Sequence, residues 1–180
     1  MPTFDLQPTL IGPRVKIRPI APLDWQEMFA AASDPEIWAL HPASDRYKES
    51  VFRTFFDGAI ASGSAFAFIE RESGKIIGSS RYHAYNPAVS EIEIGWTFLA
   101  RVYWGGSYNR EVKRLMLEHA FQFVDTVLFW VGETNWRSQA AMEKIGAVRR
   151  PGIHRRLVDP APHVVFEIRK MGFNTSAFWK

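Results

Sequence analysis

The stretch YWGGSYNREVKRLMLEHA, Tyr103 to Ala120, sets two glycines and a serine directly ahead of an amphipathic run. Gly105 and Gly106 let a ligand come close to the backbone, and Ser107 adds only a small side chain. A helix that begins there leaves its first N–H groups unpaired. Together these features make an anion site. Arg110 adds positive charge where the helix dipole is already positive, an arrangement that a pyrophosphate would settle. A plainer reading stands beside this one. Ser107 caps the helix, Glu111 offsets Arg110, and the glycines only shape a turn.

Other residues with chemical potential are fewer. Glu91 and Glu93 share one face of the run EIEIGWTFL, because side chains alternate along a strand. His83 precedes them on another strand. His154 and His163 face each other across the last hairpin, with no convincing third metal ligand. The chain has no cysteine, which excludes disulfides, thiolate metal sites and cysteine nucleophiles. It has no G-x-S-x-G elbow, no Walker loop and no H-E-x-x-H. The pairs Arg149-Arg150 and Arg155-Arg156 read as a solvated face.

The elements that must position these residues follow from composition and period. At 180 residues and 47% hydrophobic content, one globular domain over 1–180 with a real core is expected. The net charge of +3 suits a small anionic ligand and is only weak evidence for nucleic acid, for which no recognised module stands in the chain, so no nucleic-acid partner is expected. No membrane span and no signal peptide is expected, so the cytoplasm is the expected location. Strands are predicted at Arg14–Ile20, Ala65–Glu70, Lys75–Tyr85, Glu91–Leu99, Thr126–Val131, Ile153–Val158 and His163–Ile168. Helical segments are predicted from Pro22, from Asp34-Pro35, over Tyr47–Ala61, over Ser107–Val124 and over Asn135–Ile145, the last closed by Gly146. The tail after Met171 reads as a surface segment. The order implies an α/β (α+β) fold: a mixed, mostly antiparallel sheet of about seven strands with helices on both faces.

Several motifs stand in one order: Glu93-Ile94-Gly95, Trp96-Thr97-Phe98-Leu99, Tyr103-Trp104-Gly105-Gly106-Ser107-Tyr108-Asn109, Asn135-Trp136-Arg137-Ser138 and Glu143-Lys144-Ile145-Gly146. This series resembles the GCN5-related N-acetyltransferase (GNAT) superfamily, and more narrowly its branch of ribosomal-protein N-terminal acetyltransferases. The match is dense from about residue 91 to 147. It departs from the family at two places: Val102 stands where a glutamine or arginine usually opens the pyrophosphate signature, and Ser107 stands at its last position.

The resemblance implies acetyl-CoA as co-substrate and no metal. It implies a gap where Glu91–Leu99 and Thr126–Val131 splay apart. The loop Gly105, Gly106, Ser107, Tyr108, Asn109 and Arg110 would hold the pyrophosphate, with Arg110 as a compensating cation. The backbone of Phe98 and Leu99 would pair with pantetheine amides. Asn135 would contact the cofactor arm, although a helix N-cap is an equal reading and both can hold. Glu93 matches a strand glutamate that some members use as general base through water, with Glu91 and His83 as rivals and a structural carboxylate as the alternative. Ser138 would protonate the leaving thiolate, or serve only as a small residue in a first turn. The acceptor is a primary amine, with protein N-termini ahead of small molecules such as polyamines, amino acids or aminoglycosides. It would be received by the early helices and the last hairpin, where Trp25, Trp38, His41, Phe52 and Phe55 are mostly core. A non-catalytic acyl-CoA-binding protein and a purely structural domain are the competing classes, and assembly is left open between a single chain and a homodimer.

Overall fold

The computed structural model describes residues 3–157 and 160–179. One sheet runs through them, built of β1 (Leu10–Ile11), β2 (Val15–Pro19), β3 (Ala65–Glu70), β4 (Ile76–Asn86), β5 (Glu91–Leu99), β6 (Thr126–Gly132), β7 (Val148–Arg149) and β8 (His163–Arg169). The helices are α1 (Trp25–Ala32), α2 (Glu49–Ser62), α3 (Ser107–Ala120), α4 (Trp136–Lys144) and α5 (Lys170–Thr175).

The strand order is β1-β2-β3-β4-β5-β6-β8-β7. Neighbours are antiparallel throughout except β5 and β6, which run parallel. That exception follows from α3, which lies between β5 and β6 in the chain and supplies the crossover that a parallel pair requires.

Each face of the sheet carries its own core. On one, Val112, Met116 and Leu117 of α3 pack with Ile92, Ile94, Val127 and Phe166. On the other, Met28 of α1 and Phe52 and Phe56 of α2 pack with Trp38 and Phe98. Trp25, Phe52 and Phe55 belong to this second core, as expected of most of the early aromatics.

The sheet has eight strands rather than about seven, because short segments pair at both edges. The expected strand from Ile153 reduces to a single bridge, His154 to His163, and Val158 lies outside the described residues. The strand that does pair there is β7, opposite Phe166 and Glu167. The tail corrects a second expectation. It is not a surface segment: α5 docks, Phe173 and Trp179 are buried, and Phe173 sits 5.2 Å from both Phe121 and Trp179. Burying two large aromatic side chains outweighs the entropy of ordering a short tail.

Candidate active site

The site begins with a change of partner. β5 and β6 pair only at Glu91↔Thr126, Ile92↔Val127 and Glu93↔Leu128. Beyond Glu93, β5 stays with β4 as far as Leu99 opposite Gly78. β6 stays with β8 as far as Gly132 opposite His163. Two parallel strands held by different neighbours must diverge, so the predicted splay is present.

A bulge in β5 turns its side chains at the same place. Arg81 opposes Gly95 while Ser79 opposes Phe98, a one-residue shift in register, and Trp96 adopts φ 53°. An extra residue on one strand reverses the alternation beyond it. Thr97 therefore joins the α3 face, beside Lys113, while Phe98 packs among Trp38, Phe52 and Phe55. Strict alternation along EIEIGWTFL would have placed them the other way round.

A cavity of roughly 390 Å³ opens into the gap. β5 lines it with Thr97, Phe98 and Leu99, the following loop with Trp104 and Gly105, and α3 with Asn109 and Lys113. Asn135 and α4 contribute Arg137, Ser138, Ala141 and Met142, and the segment after α1 contributes Ile37, Trp38 and His41. Six residues expected to serve the cofactor or catalysis thus meet on its wall, Phe98, Leu99, Gly105, Asn109, Asn135 and Ser138, together with Trp38 and His41 from the expected acceptor side. Gly106, Ser107, Tyr108 and Arg110 are not part of that wall, and neither is Glu93.

The plainer reading of the loop can be compared with its geometry. The residue that caps α3 is Gly106, which has no side chain, and no side chain caps this helix. Ser107 is already the first helical residue. Glu111 does not offset Arg110 either. Its Oε1 accepts the backbone N–H groups of Arg14 and Val15 at 2.8 and 2.9 Å. The first turn of α3 contains no acid. A helix start of this kind presents N–H groups without intrahelical partners and a positive dipole end. Gly105 needs its missing side chain, since φ is 70°. Tyr103 and Tyr108 anchor the loop by donating their hydroxyls to the Glu70 carboxylate at 3.0 and 2.6 Å, which holds the Tyr108 phenol above its usual range. Arg110 stands with its guanidinium 4.7 Å from the Phe178 ring.

Asn135 is the cap of α4 and also faces the cavity. Its Oδ1 accepts the Ser138 N–H at 3.1 Å as the cap of α4, and the residue lines the cavity. The neighbouring Arg137 closes one side. Its guanidinium lies 4.3 Å from the Trp104 ring and donates to the Ile37 carbonyl at 3.2 Å, while the Trp104 indole donates to the Leu99 carbonyl at 2.9 Å. His41 is kept neutral, its pKa pushed down to about 3 by burial, with Arg46 adding to the effect.

The carboxylates lie on the other face of β5. Glu93 is 3% exposed and forms an ion pair with Arg156. The Arg156 guanidinium is held between Trp96 and Trp130, 4.9 and 4.5 Å from their rings. Burial raises the Glu93 pKa, and Arg156 opposes that rise. Glu91 bonds to Arg150, which also bonds to Glu167. Arg150 and Arg156 are therefore not a solvated face. Only a long-range view shows that each meets a glutamate about sixty positions away in sequence. His83 packs 5.0 Å from the Trp96 ring, and burial lowers its pKa. His154 and His163 both lie against Trp130, and no group of three metal-ligating side chains occurs among the described residues.

Lys113 escaped the sequence reading. Its side chain is 4% exposed, and burial pushes its pKa down to about 8. A signal existed: Lys113 sits in the apolar stripe of α3, three residues before Met116 and four before Leu117, where a charge is out of place. Arg137 and Trp104 stood in the ordered motifs but were given no role, because neither breaks a local pattern.

The sequence model of the acetyltransferase (GNAT) domain matches residues 14–148. Among solved structures, a GCN5-related N-acetyltransferase from Brucella melitensis superposes with a TM-score of 0.83 at 20% identity, over 96% of this chain and 83% of that one. A GNAT-family acetyltransferase from Bacillus anthracis gives 0.72 at 20% identity, over 91% and 99%. Mycobacterium smegmatis RimJ, solved in complex with CoA-disulfide, gives 0.66 at 18% identity, over 91% and 86%. The splayed parallel pair, the uncapped helix behind Gly105-Gly106 and the family match over most of the chain lead to one conclusion: this protein belongs to the GNAT acetyltransferase family.

Proposed function

We propose that this protein moves an acetyl group from acetyl-CoA directly to a primary amine, with protein N-termini as the first acceptor class. One observation carries the reading: the cavity at the strand gap is also lined by Gly105 and Asn109, which flank the uncapped start of α3. A ligand with an extended amide arm and a pyrophosphate fits that pair of features. The arm takes the backbone groups of Phe98 and Leu99 that β6 no longer faces, and the pyrophosphate takes the N–H groups from Gly106 to Arg110. Asn135 contacts the arm from the head of α4.

Bound acetyl-CoA supplies an activated acyl group, so the chain needs no nucleophile of its own, in keeping with the absence of cysteine. What remains is orientation and two proton transfers. Ser138, on the cavity wall at the start of α4, donates to the departing thiolate. Glu93, at the last paired position before the strands part, takes the proton of the incoming amine through water. Its burial favours proton uptake.

The resemblance of the ordered motifs to the ribosomal-protein N-terminal acetyltransferase branch favours a protein N-terminus as acceptor, with small amines as the runner-up. Screening acceptor peptides and small amines for release of free CoA thiol tests the reading. Turnover on a peptide N-terminus is expected. Turnover confined to small amines would replace the acceptor. The pairing of Glu93 with Arg156 favours a second class, an acyl-CoA-binding protein without transfer. Tight acetyl-CoA binding with no thiol release across the panel would establish that class instead.

A further inference from the structure

Lys113 has a full positive charge to place and little to place it on. Its side chain projects from the second turn of α3 into the cavity where β5 and β6 part. An ammonium has three donors. The recorded acceptor is Thr97 Oγ1, at a long 3.5 Å, and that hydroxyl already shares a 2.8 Å bond with Ser80. The Phe129 ring lies 4.7 Å away and offers its face. No carboxylate pairs with Lys113 among the described residues, and desolvation alone accounts for its lowered pKa. A buried charge so poorly matched is costly, whereas leucine or methionine would pack there without cost.

We propose that Lys113 is a ligand-binding residue, whose ammonium donates to a carbonyl oxygen of the acyl-pantetheine arm lying in the strand gap. The inference rests on the acyl-CoA reading of the cavity. Position selects the arm over the pyrophosphate. Lys113 stands six residues beyond Ser107, about 9 Å along the helix axis, and its contacts are on β5 and β6 rather than the glycine loop. A carbonyl acceptor in the gap supplies what the free protein lacks there, and binding then raises the affinity of Lys113 for its proton.

This has a signature that a purely structural lysine lacks. Near pH 8.5 Lys113 is mostly neutral in the free protein, given its pKa of about 8, so binding draws a proton from solution. The other groups near it do not mimic the effect. His41 stays neutral above a pKa of about 3, and Arg137 on α4 is the other cationic group on the cavity wall. Thr97, Asn109, Asn135, Ser138 and Phe129 do not titrate in this range, and phosphate groups are fully ionised there.

The test is calorimetry of acetyl-CoA with the full chain at pH 8.5, in two buffers of different ionisation enthalpy, for wild type and Lys113→Met. Methionine keeps the volume and removes the buried charge, and circular dichroism checks that the variant is folded. Wild type is expected to take up roughly half a proton or more per ligand. Lys113→Met is expected to take up none and to bind roughly tenfold more weakly at pH 7. Absence of uptake by wild type, or equal uptake by the variant, overturns the role of Lys113 while leaving the acyl-CoA reading in place. Wild type that binds no acetyl-CoA removes both. The wild-type measurement decides the matter even if the variant does not fold.

Discussion

The two faces of β5 treat charge in opposite ways. On the α3 face, Lys113 stands in an apolar cavity with one long hydrogen bond. On the other face, Glu93 is buried just as deeply but is paired with Arg156, which is itself held between two tryptophans. The two residues lie on either side of one strand, near the point where it parts from β6. The difference separates a buried charge that is poorly matched from one that is already paired. Removing a paired buried ion leaves its partner stranded and destabilises the fold, whereas removing an unpaired one relieves it. The same physics therefore assigns opposite signs to substitutions on the two faces.

The largest expected effect is on catalysis at Glu93. If it accepts the amine proton, Glu93→Gln lowers kcat by ~10²-fold or more, with acetyl-CoA affinity nearly unchanged, as steady-state kinetics and calorimetry would record. The comparison sharpens with Arg156→Gln, which strands the carboxylate and is expected to cost roughly 3–5 kcal/mol in urea unfolding. A Glu93→Gln enzyme that keeps more than about half its kcat would show the glutamate to be only the counter-ion of Arg156. His83, packed on Trp96 with its pKa lowered by burial, would then be the next candidate base. Glu91 is the weaker rival, because Arg150 already holds it.

Lys113 carries the prediction of opposite sign. Its folded pKa of about 8 lies below the ordinary lysine value of 10.5. Between those values the unfolded chain binds more protons than the folded one, so stability rises with pH across this window. Below about pH 8 the full penalty is present. Lys113→Met should therefore stabilise the ligand-free protein at pH 7, by up to about 3 kcal/mol. It should also abolish the rise in stability from about pH 8 to about 10.5. Urea midpoints over that range measure both. A variant less stable than wild type at pH 7 would mean that the cavity already solvates the ammonium, and the contrast between the faces would fail.

A smaller effect is expected in the loop. Gly105→Ala forces a side chain into φ 70°, at a cost of roughly 1–2 kcal/mol. It should weaken acetyl-CoA binding, because the N–H groups behind it lose their alignment. Gly106→Ala meets open space at an ordinary φ of −105° and should leave the free protein unchanged. Any loss of affinity in that variant reports ligand crowding alone. Calorimetry on the pair separates loop shape from close approach.

Local signals explain which parts of this arrangement were legible in the sequence. β5 and β3 run as predicted, and α3 starts where predicted at Ser107, because alternation and a Gly-Gly turn are written in neighbouring residues. The splay followed from the family resemblance. What stayed hidden depends on distant partners. The bulge at Trp96 is a register shift against β4, so sequence alternation placed Thr97 and Phe98 on the wrong faces. The pairing of Arg156 with Glu93 closes over sixty positions. The docking of Phe173 and Trp179 needs Phe121. The position of Lys113 over a gap exists only because β5 and β6 choose different neighbours. Each missed feature is tertiary, and only Lys113 left a local mark.

The smallest effect belongs to Arg110, where two roles compete for one guanidinium. It lies in the first turn of α3, where the dipole disfavours a cation and where a pyrophosphate would welcome one. It also lies over Phe178 of the tail, a contact worth about 0.5–1 kcal/mol at an exposed site. Arg110→Gln removes the charge, and Phe178→Leu keeps the charge but removes the ring that places it. If the cation serves the ligand, Arg110→Gln weakens acetyl-CoA binding by about 1 kcal/mol, and the loss shrinks as salt rises. Phe178→Leu then loses less than half as much. If the cation serves the tail, both variants lower the melting temperature by similar small amounts, and acetyl-CoA affinity stays at the wild-type value at every salt concentration. Measuring affinity and melting temperature for both variants at low and high salt separates the roles, because only a ligand contact makes the affinity difference depend on ionic strength.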